Sequence, residues 1–170
     1  MKLFQKGVDE NTFTRLVEEY GQQVYNIAAF TVQDEMLAED ITQEVFIKIY
    51  RKISDFRGEA KLSTWIYRIT INTCYNHLKR DKKYRKMDEM PTHLSDGASP
   101  EMDLLRNDLH TAVRNAVGTL PKVQRMAISL YYFHDRSYVE IAEIMSIPMN
   151  TLKSHIYRAK QTLKTILNTE

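Results

Sequence analysis

The side chains best suited to bind a polyanion lie near the C-terminal end of the 170-residue chain. Lys153, Ser154, Tyr157, Arg158, Gln161 and Lys164 recur at steps of three and four, which puts them on one face of a helix. Leu152, Ile156, Ala159, Leu163 and Ile166 form the apolar stripe of the opposite face. No acid occurs between Glu143 and Glu170, so the helix carries uniformly positive potential. A cationic helix with hydrogen-bond donors near its start has what reading a DNA major groove requires. The other description of the same pattern is a helical hairpin with a solvated basic face.

A second constellation lies near the middle of the chain. Arg68, Asn72, Tyr75, Asn76 and Lys79 fall at i, i+4, i+7, i+8 and i+11, with Ile66, Ile69, Thr70 and Thr73 on the other side. From Ala60 to Lys86 there are eight Lys or Arg residues and one acid, Asp81. Phe56, Trp65, Tyr67, Tyr75 and Tyr84 are interleaved with that charge. Cations neutralise phosphates, and aromatics and amides hold unstacked bases, so the combination suits a single strand. Trp65 and Tyr67 could instead simply fill a core. A third group has the opposite sign: Asp34, Glu35, Glu39, Asp40 and Glu44. Asp40, Gln43 and Glu44 are i, i+3 and i+4 and share a face. That face is either solvated or a docking surface for another protein.

Catalysis is poorly supported. His77, His93, His110, His134 and His155 have no metal-ligand spacing, and His134-Asp135 reads as a loop pair. No nucleophile elbow or Gly-rich phosphate loop occurs. The single cysteine, Cys74, excludes an intramolecular disulfide framework and a Cys-rich zinc site. The chain is therefore expected to be no enzyme and to need no cofactor or metal. Its longest largely apolar stretch, near Val24–Val32, is about half of the ~18–20 residues needed to span a bilayer. The first six residues lack the apolar core of a secretory signal. A cytoplasmic protein without direct membrane insertion is expected.

The elements that position these groups are helices. Hydrophobic residues make up 43% and charged residues 27%, as in a folded globular chain. Five glycines and four prolines are too few for a tight-turned barrel or sandwich. The net charge of +2 conceals the uneven distribution described above. Phe13, Leu16, Val17, Tyr20, Val24, Ile27 and Ala28 mark a first helix. Asp34 is the N-cap expected for a second, with Leu37, Ile41, Val45 and Ile49 inward. The stretch from Ser54 to Leu62 reads as a loop, and Ser63 or Thr64 is expected to cap a third helix ending near Arg80. A segment with the basic run Lys82–Lys86, then Pro91, Gly97 and Pro100, lacks periodicity and reads as a linker. Beyond it, Leu109, Ala112, Val113, Ala116, Val117 and Leu120 mark a helix ending near Gly118. Pro121 opens another, with Val123, Met126, Ala127, Leu130 and Tyr131 inward. Ser137 and Glu140 form a capping-box pair before a short helix. After the turn Ser146–Asn150, Thr151 is expected to open the final helix. The prediction is an all-α chain of two small helical domains, 1–81 and 108–170, joined by a linker over 82–107.

Two long motifs resemble a known family. Ala38-Glu39-Asp40-Ile41-Thr42-Gln43-Glu44-Val45-Phe46, Phe56-Arg57-Gly58 and Leu62-Ser63-Thr64-Trp65-Ile66-Tyr67-Arg68-Ile69 are similar to region 2 of bacterial extracytoplasmic-function sigma factors. Leu120-Pro121, Tyr138-Val139-Glu140-Ile141-Ala142-Glu143-Ile144 and Ile147-Pro148-Met149-Asn150-Thr151-Leu152-Lys153-Ser154 are similar to region 4, with its helix-turn-helix. The resemblance covers nearly the whole chain in the right order.

It implies a division of labour. Asp40, Gln43, Glu44 and Phe46 would dock on the β′ clamp helices of core RNA polymerase, and region 4 on the β flap. Phe56, Lys61, Ser63, Thr64, Trp65, Arg68, Asn72, Tyr75, Asn76, Lys79 and Arg80 would hold the melted −10 element of promoter DNA, with a base flipped out. Thr151, Lys153, Ser154, His155, Tyr157, Arg158 and Lys160 would face the −35 duplex, His155 standing where many relatives have arginine. Ser146 and Asn150 occupy turn positions commonly glycine in the family, and Asn tolerates a left-handed backbone. The absence of a sensory domain, together with the family analogy, implies an anti-sigma partner, often membrane-anchored. The rival from another class is a stand-alone helix-turn-helix regulator of duplex DNA, which leaves the Asp40 face and the Trp-containing basic helix unexplained.

Overall fold

The computed structural model describes residues 10–85, 112, 113 and 115–168. Its regular elements, among the described residues, are helices: α1 Glu10–Val32, α2 Glu35–Lys52, a 3-10 turn Ile53–Asp55, and α3 Leu62–Arg85. A helical turn over 115–118 precedes α4 Lys122–Tyr132, α5 Tyr138–Met145 and α6 Met149–Leu167. His93, Pro91, Gly97, Pro100, Leu109 and His110 lie outside the described residues.

The first three helices pack because each carries one apolar stripe. Leu16, Val24, Ile27 and Ala28 of α1 are buried, although Val17 is partly exposed. Helix α1 ends where Gln33 turns left-handed, its N–H donating to the Ala29 carbonyl. Asp34 then caps α2 as its type predicts: Oδ1 accepts the Leu37 N–H at 2.9 Å. Ala38, Ile41, Val45 and Ile49 face inward at helical steps, joined by Phe46. Ile66, Tyr67, Thr70, Ile71, Thr73, Cys74 and Leu78 of α3 close the core. Full burial of side chains such as Ile27, Ile41, Ile49 and Ile66 stabilises the fold by about 1.5–3 kcal/mol each.

Two helix boundaries differ from expectation. The Trp65 N–H donates to the Lys61 carbonyl at 3.1 Å, so α3 begins at Leu62. Ser63 and Thr64 therefore lie in its first turn and do not cap it. At the other end α3 continues to Arg85 and not merely to Arg80. No proline or glycine interrupts the basic run, so nothing stops the helix there.

In the second half Pro121 stands before α4 and accepts the Arg125 N–H, and Met126, Ala127, Ile128 and Leu130 are buried. The capping box before α5 is present: Ser137 Oγ accepts the Glu140 N–H, and the Glu140 carboxylate accepts the Ser137 N–H at 3.0 Å. Helix α5 ends on Ser146, whose φ of 53° and ψ of 44° are left-handed. The Ile147 N–H reaches back to the Ala142 carbonyl, a Schellman-type reversal. Helix α6 opens at Met149, two residues before Thr151, so Asn150 is helical and its tolerance of a left-handed backbone is not used.

The halves pack on each other, α1 against α4 and α3 against α5, and one hydrophobic cluster runs through both. The Phe30 and Phe133 rings lie 4.1 Å apart, and Lys122 Nζ donates to the Leu78 carbonyl at 2.6 Å. Arg136 sits 5.5 Å from the Tyr67 ring centroid, with His134 beside the same ring. No described helix is long and apolar enough to cross a membrane.

Candidate nucleic-acid interface

Helix α6 is fixed by Leu152, Ile156 and Ala159, all buried, which turns the polar face outward. Thr151, Lys153, Ser154, Tyr157 and Arg158 are exposed, and Lys153, Ser154, Tyr157 and Arg158 line one shallow recess. Ser154 Oγ donates to the Asn150 carbonyl at 2.9 Å, leaving the hydroxyl oxygen to accept from outside. Two expected members stand apart. Half-buried His155 turns Nδ1 into the protein, where it has no hydrogen-bond partner. Lys160 leans toward α4, with Nζ 5.0 Å and 5.5 Å from the ring centroids of Tyr131 and Tyr132. A hydrogen bond with Tyr132 pushes the Lys160 pKa up. The recess thus unites a bidentate donor, a point charge, a hydroxyl and an exposed phenol, the set expected to read base edges and grip phosphates.

Helix α3 presents Asn72, Tyr75, Asn76, Lys79 and Arg80 to solvent. The half-buried rings of Phe56 and Trp65 meet at 5.4 Å and 49°, so Trp65 is neither a free platform nor a full core residue. Ser63 is half-buried beside them. Thr64 is a correction: at 2% exposure it faces the core, one residue out of step with the polar face. Lys61 and Arg68 are engaged by α5, Lys61 Nζ at 2.9 Å from Glu140 Oε1 and Arg68 at 3.3 Å from Glu143 Oε1.

On α2, Asp40 and Gln43 are exposed. Glu44 is half-buried and tied down, with His77 Nε2 and Lys48 Nζ each 2.6 Å from its carboxylate. The hydrogen bond from His77, and then that from Lys48, holds its carboxyl below the usual range. Phe46 is the second correction: it is 8% exposed and meets the Phe13 ring edge-on at 6.3 Å, so it belongs to the core. Sequence reasoning missed Met36, Ile47 and Tyr50, which are 77%, 51% and 58% exposed on the stripe of Asp40 and Gln43. Their spacing of four, three, four and three along 36, 40, 43, 47 and 50 was the available signal.

The model of "Sigma-70 region 2" matches residues 16–84, and that of "Sigma-70, region 4" matches residues 110–163. The RNA polymerase sigma-H factor of Pseudomonas aeruginosa is 36% identical over 94% of this chain and 87% of its own. The ECF RNA polymerase sigma-E factor of Haemophilus influenzae is 34% identical over 92% and 87%. The chain belongs to the extracytoplasmic-function sigma-70 family. It is a sigma factor, a transcription initiation factor that partners RNA polymerase. Two solved sigma-factor structures share its all-helical fold. RpoE of Bartonella quintana, in complex with the anti-sigma factor NepR, has a TM-score of 0.73 at 21% identity over 93% of this chain and 98% of that one. CnrH, in complex with the cytosolic domain of CnrY, has a TM-score of 0.71 at 19% identity over 95% and 91%. The sigma factor's charged faces thus lie in the two regions the family models match: α2 and α3 in region 2, α6 in region 4.

Proposed function

We propose that this sigma factor binds core RNA polymerase through the exposed stripe of α2, led by Asp40 and Gln43, with Glu44 at its edge. Region 4 engages the β flap. The exposed polar face of α3, with Lys61, Arg68 and the Phe56/Trp65 pair, holds the melted −10 strand. Lys153, Ser154, Tyr157 and Arg158 read the −35 duplex. The working units are residues 1–81, extended by the last turn of α3, and residues 108–170, with 82–107 between them. Regulation comes from an anti-sigma protein that covers the polymerase-binding faces. The carrying observation is that a cationic, amide-rich helix and a cationic helix-turn-helix recess sit on a chain that also bears an acidic, partly apolar helix face. A stand-alone regulator of duplex DNA has no use for the last of these.

Footprinting separates the two. Core polymerase with this protein is expected to protect two separated promoter segments, whereas the isolated protein protects neither strongly. Strong protection of duplex by the protein alone would contradict the proposal.

A further inference from the structure

Glu44 stands at the edge of the exposed α2 stripe, yet its carboxylate is committed inward. Lys48 Nζ lies 2.6 Å from Oε1 and His77 Nε2 lies 2.6 Å from Oε2, so each oxygen already has a partner. Lys48 also donates to Thr73 Oγ1 at 3.1 Å, which can accept because its own proton goes to the Ile69 carbonyl at 2.8 Å. Glu44 and Lys48 are i and i+4 on α2, and Thr73 and His77 are i and i+4 on α3. These four side chains tie one turn of α2 to one turn of α3. A docking partner's cation would meet at Glu44 a carboxylate that the Lys48 ammonium has already neutralised. Asp40, one turn earlier, is exposed.

What the tie fixes is the setting of α3. One residue before each of its α3 members stands an exposed amide, Asn72 before Thr73 and Asn76 before His77, and exposed Lys79 and Arg80 follow within a turn. One residue is about 100° around a helix, so the tie and the amides occupy neighbouring faces. Apolar packing holds α3 through Ile71, Cys74 and Leu78, but such packing is non-directional. Hydrogen bonds have a set length and direction, so they decide how far the helix rolls on that packing. A binding constellation has to be held within roughly 10–20° of its productive setting. Isolated ion pairs at this exposure are weak, but here one carboxylate and one ammonium each reach across to the second helix.

Resting on the sigma reading above, we propose that Glu44 is a positioning residue for the −10 strand. Directly on His77, and through Lys48 on Thr73, it sets the roll of α3 so that Asn72, Asn76, Lys79 and Arg80 meet the melted strand together. Polymerase docking is left to Asp40, Gln43 and the exposed apolar side chains beside them. Opening the tie is then felt as lost promoter melting, with polymerase binding kept.

Permanganate reactivity of unpaired −10 thymines tests the role, on a promoter that the wild-type protein drives in run-off transcription and with core polymerase saturated by each variant. His77→Leu removes the α3 end of the tie. It is expected to lower the signal at least about fivefold, with core affinity within about twofold of wild type. His77→Gln keeps an N–H donor for Glu44 and is expected to restore the signal to within about twofold. Glu44→Gln, a swap of equal size at a half-buried site, is the second variant, with the same fall expected. Combined with His77→Leu it is expected to add less than about twofold, since the tie is already open. A full signal for His77→Leu would reduce the tie to fold stability and overturn the proposal. So would equal losses for His77→Gln and His77→Leu. A fall in core affinity for Glu44→Gln that His77→Leu does not share would also overturn it, by making the carboxylate a docking group. Absence of any wild-type transcript would instead sink the sigma reading, and this role with it.

Discussion

Glu44 of α2 and His77 of α3 are joined side chain to side chain at 2.6 Å, on the flank where the two helices meet. Lys48 completes the cluster from one turn along α2. His77→Ala is expected to let the Glu44 pKa rise toward its ordinary value and to cost about 0.5–1 kcal/mol, a modest figure because the carboxylate is partly solvated. The depressed pKa means that this contribution is present above the ordinary carboxylate range and is lost as pH falls through the lower, folded value. Carboxyl-resolved NMR titration with a urea melt checks both. An unmoved Glu44 would show that Lys48 alone holds it.

Phe46 and Asp40 separate stability from docking. Phe46→Ala removes a core ring and should destabilise the fold by about 3–5 kcal/mol. Asp40→Lys, on an exposed site, should change stability by no more than about 0.5 kcal/mol while weakening core polymerase binding. Thermal melts and a competition assay for core polymerase give the two readings. Unchanged affinity for Asp40→Lys would move the docking surface elsewhere.

Arg158 and Lys160 make a matched pair on α6. Arg158→Ala is expected to cost about 1–3 kcal/mol of discrimination between promoter sequences, the worth of a bidentate base contact. Lys160→Ala should leave discrimination unchanged, because its ammonium is spent on Tyr131 and Tyr132. Equal losses on all sequences for Arg158→Ala would reduce it to a phosphate contact.

His134 sets the acid limit of the packed halves. Its pKa is pushed down to about 4 by burial, and by Arg136 against a smaller opposing effect of Asp135. Released, the ring would titrate near the ordinary 6.5. The neutral ring therefore costs nothing above about pH 6.5, and the packed state weakens progressively as pH falls toward 4, by up to about 3 kcal/mol. Fluorescence of the single Trp65 followed through a urea series at pH 7 and pH 4.5 reads the change, and His134→Gln should flatten it. Equal stability at the two pH values would contradict the burial argument.

Much of this was readable from residue spacing. The stripes of α1, α2 and α6, the Asp34 cap and the Ser137/Glu140 capping box are local patterns, and local hydrogen bonds realise them. Phe46 was misplaced because it stands at i+3 from exposed Gln43, at the margin of that face, where the Phe13 ring of α1 covers it. Thr64 was misplaced because it lies one residue from half-buried Ser63 and Trp65, and a helix turns about 100° in that step. Ser146 adopts the left-handed turn because reversing into α6 requires it there, whatever the preference of serine. Lys160 could not be assigned from its own helix, since the aromatics that hold it belong to α4. The contacts of Lys61 and Arg68 with Glu140 and Glu143 join residues 75 or more apart, and no periodicity reports such a pairing.

The central claim is promoter-specific initiation, and run-off transcription tests it most directly. Purified bacterial core polymerase is run with and without this protein on a pool of promoter fragments from its own genome. The account predicts protein-dependent transcripts from a subset that shares two spaced motifs. No protein-dependent transcript, with duplex binding by the protein alone intact, would contradict it.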